Sequence, residues 1–113
     1  MKKEVIRFEV RTRIAHTNYV FNPATKEFDD EACVFESEKY SWKTQEEMLN
    51  DFFKDFNPKE FKNSLDANIQ LCKVTEIWTR EDVEDDWDFY AEESTVIIEF
   101  NIYDWLKNNG YEI

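Results

Sequence analysis

Carboxylates are the chemically active side chains that this sequence offers in number. Eight lie between Glu81 and Glu93 (Glu81, Asp82, Glu84, Asp85, Asp86, Asp88, Glu92 and Glu93), and that stretch holds no Lys or Arg. Six more lie between Glu27 and Glu38 (Glu27, Asp29, Asp30, Glu31, Glu36 and Glu38), again without a basic residue. Asp82, Glu84, Asp86, Asp88 and Glu93 fall on the hard-oxygen positions of a calcium-loop template. Trp87 stands where that loop requires glycine, and no strong pair of flanking helices is visible, so calcium is disfavoured. Paired carboxylates for glycoside hydrolysis can be drawn from either run. Any two of 26 acids can be paired in that way, so the pattern has no specificity.

The other reactive groups are sparse. His16 has neither a second histidine nor a neighbouring cysteine nucleophile, and it reads as a strand-end residue. Cys33 and Cys72 sit inside apolar strand-like runs and are expected to be reduced core thiols. With Gly110 as its single glycine, the chain cannot build a phosphate-cradling glycine loop. No catalytic residue, metal or cofactor is therefore predicted.

The charge distribution carries more information than any motif. Fourteen basic residues against 26 acidic ones give a formal charge of −12, which makes direct binding to nucleic acid unfavourable and a basic partner the natural complement. The two runs hold fourteen of the acids, so the remainder of the chain nets +2. A halophilic surface would spread its acidity evenly, and this one does not. Duplex DNA carries one charge per ~1.7 Å of axis. The second run would present one per ~2.5 Å as a helix but one per ~5 Å as a strand, so a compact conformation alone approaches nucleic-acid density. Trp87, Phe89 and Tyr90 lie within that run and supply aromatic anchors of the kind that dominate interface energetics. Simple solvation, with the aromatic residues turned into the core, is the plain alternative.

These segments must be positioned by a fold. At 113 residues, 42% hydrophobic and 17% aromatic, the chain is long enough for one domain spanning 1–113 and too rich in aromatics for the disordered acidic class. Ile6, Phe8, Val10, Thr12 and Ile14 alternate with Arg7, Glu9, Arg11 and Arg13, a strand with one buried face. The arginines are expected to pair across strands with acids such as Glu76 or Glu99. Asn22-Pro23-Ala24-Thr25-Lys26 reads as a reversal, followed by a strand at Ala32–Phe35 that extends towards Tyr40 and Trp42. Thr44 and Glu47 form a capping box ahead of Met48, Leu49, Phe52, Phe53 and Phe56 at helical spacing. Asn57-Pro58 suits the start of a second helix. Strands are expected over Ile69–Trp78 and Thr95–Ile102, paired centrally, the latter with Val96, Ile98, Phe100 and Ile102 on one face. Residues 79–93 fit either a helix capped at Thr79 or Asp82, or a strand turning at Glu92-Glu93-Ser94. A short C-terminal helix over Tyr103–Asn109 is closed by Gly110 in the left-handed conformation.

The expected fold is α+β: an antiparallel or mixed sheet of four to six strands, two consecutive helices on one face, and the short C-terminal helix. No stretch reaches the apolar length of a membrane span or signal core, so a cytoplasmic location without membrane association is expected. In composition the chain resembles the broad class of small acidic inhibitors, among them phage anti-CRISPR proteins, nucleic-acid mimics and immunity proteins that neutralise toxin nucleases. That resemblance implies a non-enzymatic inhibitor whose acidic segments, with Trp87 and Tyr90, bind the basic surface of a nuclease or other nucleic-acid-processing enzyme. The alternative is a small structural or adaptor domain, homodimeric through a strand edge, whose acidity serves solubility.

Overall fold

The computed structural model describes residues 1–56 and 66–110. Five antiparallel strands, β1 (Lys2–Ile14), β2 (Thr17–Asn22), β3 (Glu27–Asp30), β4 (Asn68–Thr79) and β5 (Asp88–Asn101), form one sheet in the order β3-β2-β1-β4-β5. Among the described residues two helices accompany it, α1 (Gln45–Asp55) and α2 (Ile102–Asn108). Among the described residues the sheet is antiparallel and not mixed. The predicted second helix falls on residues outside those described.

The alternation of β1 produces the two faces of the sheet. Phe8, Val10 and Thr12 turn to one side, where Ile69 and Leu71 of β4 pair opposite Thr12 and Val10. Met48 and Phe52 of α1 and Ile102 and Leu106 of α2 close this core. Thr44 caps α1 by accepting from the Glu47 amide at 3.2 Å, as the capping box predicts. Phe21 meets Phe52 edge-on at 5.1 Å and stacks at 6.0 Å on Trp42, whose indole N–H donates to Asp51 at 2.8 Å. The C-terminal helix ends as expected, with Gly110 at φ 81°.

Two reversals build the β1–β2–β3 meander. Ala15 and His16, at φ 48° and 70°, form a two-residue hairpin loop between the paired Ile14 and Thr17, which places His16 in a turn. At the second, Asn22 accepts from the Lys26 amide at 2.8 Å through its carbonyl and from the Ala24 amide at 2.9 Å through its side chain.

Residues 31–42 correct the sequence reading. In place of a strand there are two short 3₁₀ turns, Glu31–Cys33 and Ser37–Tyr40, and the chain rejoins the sheet at a single bridge between Trp42 and Phe8. The Asp30 carboxylate accepts from the Ala32 amide at 2.9 Å, which diverts the backbone from ladder pairing. Cys33 is consequently exposed, whereas Cys72 is buried as expected, and both are free thiols.

β4 pairs with β5, but β5 is an edge strand and not a central one. The ladder shifts register between Leu71 and Cys72, so Ile97 is an extra residue; Ile97 and Ile98 both pack on the core while Val96 is exposed. The expected single stripe from Val96 to Ile102 is broken there, and Ile102 opens α2. The strands also outrun the helices. The molecule measures 59 × 28 × 22 Å, because β1, β4 and β5 continue as a three-stranded ribbon beyond the core.

Candidate functional site

The ribbon carries the second acidic run to its far end. After β4, residues 80–87 turn back into β5, which settles the ambiguity over 79–93: a loop to Trp87, then strand from Asp88. Glu81 through Asp86 are six successive exposed residues, five of them acidic. The loop is internally braced. Asp85 accepts from the Asp82 amide at 3.0 Å and donates its own amide to the Asp82 carbonyl at 3.1 Å, and Arg80 donates to the Val83 carbonyl at 3.1 Å.

Two cations lie over the Trp87 ring, with Arg80 4.3 Å and the Lys3 ammonium 4.6 Å from the ring centroid. The Lys2–Thr79 and Lys3–Trp78 pairings of β1 and β4 bring Lys3 to this place. The tip therefore has positive charge at its base and exposed carboxylates at its apex. Trp87 is half-buried beneath these cations, while Tyr90 is 71% exposed and Phe89, edge-on to Trp78, is 54% exposed.

The remainder of the run is extended. Asp88, Glu92 and Glu93 lie on β5, where side chains of one face repeat every ~6.7 Å. The compact helical presentation that would approach duplex charge density is absent. A cleft of about 650 Å³ opens at the tip beside Arg80, Glu81, Asp85, Asp86 and Asp88. Positions 7 to 12 of the calcium-loop template, Asp88 to Glu93, lie in the strand, so that loop is not formed. Among the described residues, no group of His, Cys, Asp and Glu side chains is arranged to hold a metal ion.

Glu92 has a different role from its neighbours. On the sheet face opposite the core, Arg7 reaches both Glu76 and Glu92, with Glu92 at 2.8 Å, and Arg11 binds Glu9. Glu9 is almost fully buried. Burial would lower the Arg11 guanidinium, but the adjacent Glu9 carboxylate more than offsets this and holds it above its ordinary value. Arg7–Glu76 is the cross-strand pair expected from the sequence. Glu99 instead accepts from Asn68 and Gln70.

The first acidic run lies on the opposite edge and over this polar face. Asp29 accepts from the Tyr40 hydroxyl at 2.9 Å, a bond that raises the phenol above its ordinary range. Asp30 caps a 3₁₀ turn, and Glu36 pairs with Lys39 at 2.7 Å. Glu27, Glu31 and Glu38 are exposed. The first run borders β3 and the second occupies the ribbon tip and β5, and Glu31 of the one and Glu92 of the other line a common cleft beside Arg7 and Arg11. Sequence reasoning missed Phe35, 90% exposed between the 3₁₀ turns, because its apolar neighbours suggested a strand.

A polar cleft of about 690 Å³ lies at the other end of the sheet, lined by Arg13, His16, Tyr19, Asp66, Asn68 and Glu99 among others. No helix among the described residues is long and apolar enough to cross a membrane. Comparison with known proteins finds no matching family model, curated relative or solved structure. The site is therefore interpreted from its own geometry.

Proposed function

We propose that this chain is a non-enzymatic acidic binding protein that docks on a basic, nucleic-acid-binding surface of a partner enzyme and blocks substrate access. The observation that carries the reading is the exposed, braced apex Glu81–Asp86 at the end of the β4–β5 hairpin, beside the exposed Phe89 and Tyr90. A carboxylate cluster on a projecting tip steers a basic partner and relieves its own repulsion on docking. The adjacent aromatic rings supply apolar contact once the surfaces meet. Because the carboxylates of β5 are extended, the mechanism is docking by a charged tip and not the copying of a duplex.

The test is affinity capture from the native host, including infecting phage, with the wild-type protein and the Glu81→Lys/Glu84→Lys/Asp86→Lys variant as baits. The reading requires a nucleic-acid-processing enzyme that the wild type captures and inhibits and the variant does not. Equal capture by both baits removes the tip from the mechanism. A second reading, a homodimeric adaptor, is favoured by the free edge of β5. Against it, β5 carries four carboxylates and no Lys or Arg, so two copies would bring like charges together.

A further inference from the structure

The outer edge of β5 is where the sheet is incomplete. Fourteen residues long, this strand has no neighbour on its outer side among the described residues. Long edges are ordinarily protected by Lys, Pro or a covering segment, and β5 contains neither residue. Its two register shifts, at Leu71/Cys72 and at Ile77/Trp78, bracket an uninterrupted run from Ala91 to Val96. Six residues span ~20 Å, the length of an ordinary strand.

The chemistry of that run selects what can pair with it. Glu92 and Glu93 are adjacent and so project to opposite faces. On the face of Glu92, the network sets three carboxylates (Glu9, Glu76 and Glu92) against two guanidinium groups (Arg7 and Arg11). One negative charge is left uncompensated. Glu9 is enclosed, but the Glu92 side chain retains 40% of its exposure and has room for a second donor from the outer side. On the other face, Glu93 is exposed and has no ion-pair partner among the described residues. Beyond them the edge presents Ser94, Thr95 and Val96, which suit β-branched neighbours.

We propose that β5 receives an extended basic segment of the partner as a sixth strand, with two adjacent Lys or Arg residues meeting Glu92 on one face and Glu93 on the other. Backbone hydrogen bonds along Ala91–Val96 supply affinity, and the dibasic pair fixes register. This rests on the reading of the partner as a basic protein, and it adds where and in what form that partner binds.

The probe is the blocked hexapeptide Val-Thr-Lys-Arg-Val-Thr, added to the full chain and followed by amide hydrogen exchange. Two controls accompany it, an analogue N-methylated at alternate residues and the Val-Thr-Glu-Glu-Val-Thr peptide. The basic peptide, at a concentration tenfold above its Kd, slows exchange of the outward amides within 91–96 by about tenfold. Both controls leave these amides unchanged. Glu93→Gln, which disturbs no described ion pair, weakens the peptide by roughly twofold to fivefold. Equal binding of the N-methylated peptide, or protection confined to residues 81–86, overturns the sixth strand while leaving the acidic tip as the docking element. Absence of protection anywhere also overturns it. Protection of 91–96 that rises with protein concentration and without peptide assigns the edge to a second copy of the chain, and likewise overturns it. Failure of the wider reading shows separately, as unchanged capture by the tip variant.

Discussion

Arg7 donates to Glu92 at 2.8 Å, so one carboxylate of the acidic run is anchored to the sheet while its side chain stays 40% exposed. The same guanidinium binds Glu76, and its Nε lies 3.6 Å from Glu9 with no hydrogen-bond partner of its own. This side chain ties β1 to β4 and β5 on the face opposite α1 and α2. Replacing Arg7 by Met leaves Glu76 without its guanidinium partner in a largely buried setting, while Glu9 keeps its pair with Arg11. We expect a loss of about 3 kcal/mol in urea unfolding. Glu92→Gln removes a partner that is 40% exposed, and solvent screening limits its cost to about 0.5 kcal/mol. Equal losses for the two variants would show that the network does not centre on Arg7.

Charge reversal at the apex separates docking from folding. Glu81, Glu84 and Asp86 point to solvent, whereas Asp82 and Asp85 shape the loop through hydrogen bonds and are poor choices for reversal. The Glu81→Lys/Glu84→Lys/Asp86→Lys protein should melt at or above the wild-type temperature, because like-charge repulsion is relieved. Its association with the captured enzyme should slow at least about tenfold at low ionic strength. For the wild type the rate falls steeply as salt shortens the Debye length towards ~8 Å at 0.15 M. A rate indifferent to salt would assign the interface to Phe89 and Tyr90.

The turn joining β1 and β2 stores removable strain. Ala15 and His16 both adopt left-handed backbone, at φ 48° and 70°, in a loop where Asn-Gly is the favoured pair. Ala15→Asn with His16→Gly should stabilise the protein by about 1 kcal/mol, or a rise of ~4 °C in Tm. His16→Val, a β-branched residue in the same conformation, should lower it by a similar amount. The reverse order of these melting temperatures would show that the loop is held by contacts and not by backbone preference.

Sequence periodicity located β1 and α1 because each has one clear pattern: alternation from Ile6 to Ile14, and a Thr44 cap ahead of the Met48 and Phe52 stripe. Four features escaped it. Ala32–Phe35 has strand composition, yet a local carboxylate cap at Asp30 turned it into 3₁₀ turns. The extra residue at Ile97 shifted the alternation of β5, and a one-residue slip exchanges faces without any trace in composition. At the candidate site, exposure of Glu81–Asp86 was legible from the scarcity of apolar residues. The cations beneath them were less so, because pairing across nearly the whole chain places Lys3 beside Trp87. Glu9 is buried as well, although the alternation alone assigns it to a solvent face, and Val34 and Ser37 of the 31–40 segment lie beside it.

The two thiols should behave oppositely, and their difference gives the fold a dependence on pH. Cys33 is exposed in a 3₁₀ turn and should react with a thiol reagent at once under native conditions, whereas Cys72 should react after unfolding. Burial pushes the Cys72 thiol above its ordinary value, and the carboxylates of Glu9 and Glu99 add to this against the opposing effect of Arg11. The folded protein therefore keeps this proton at a pH where the unfolded chain, with a thiol near ~8.5, releases it. Stability from this source is complete below ~8.5 and declines as pH rises through the folded value. Tyr40, raised by its bond to Asp29, adds a further decline that begins above the ordinary phenol value of ~10. Urea midpoints measured between pH 7 and 10 should fall for the wild type and fall less for Cys72→Ala, whose lower baseline reflects the lost side chain. Parallel curves for the two proteins would show that Cys72 does not couple ionisation to folding.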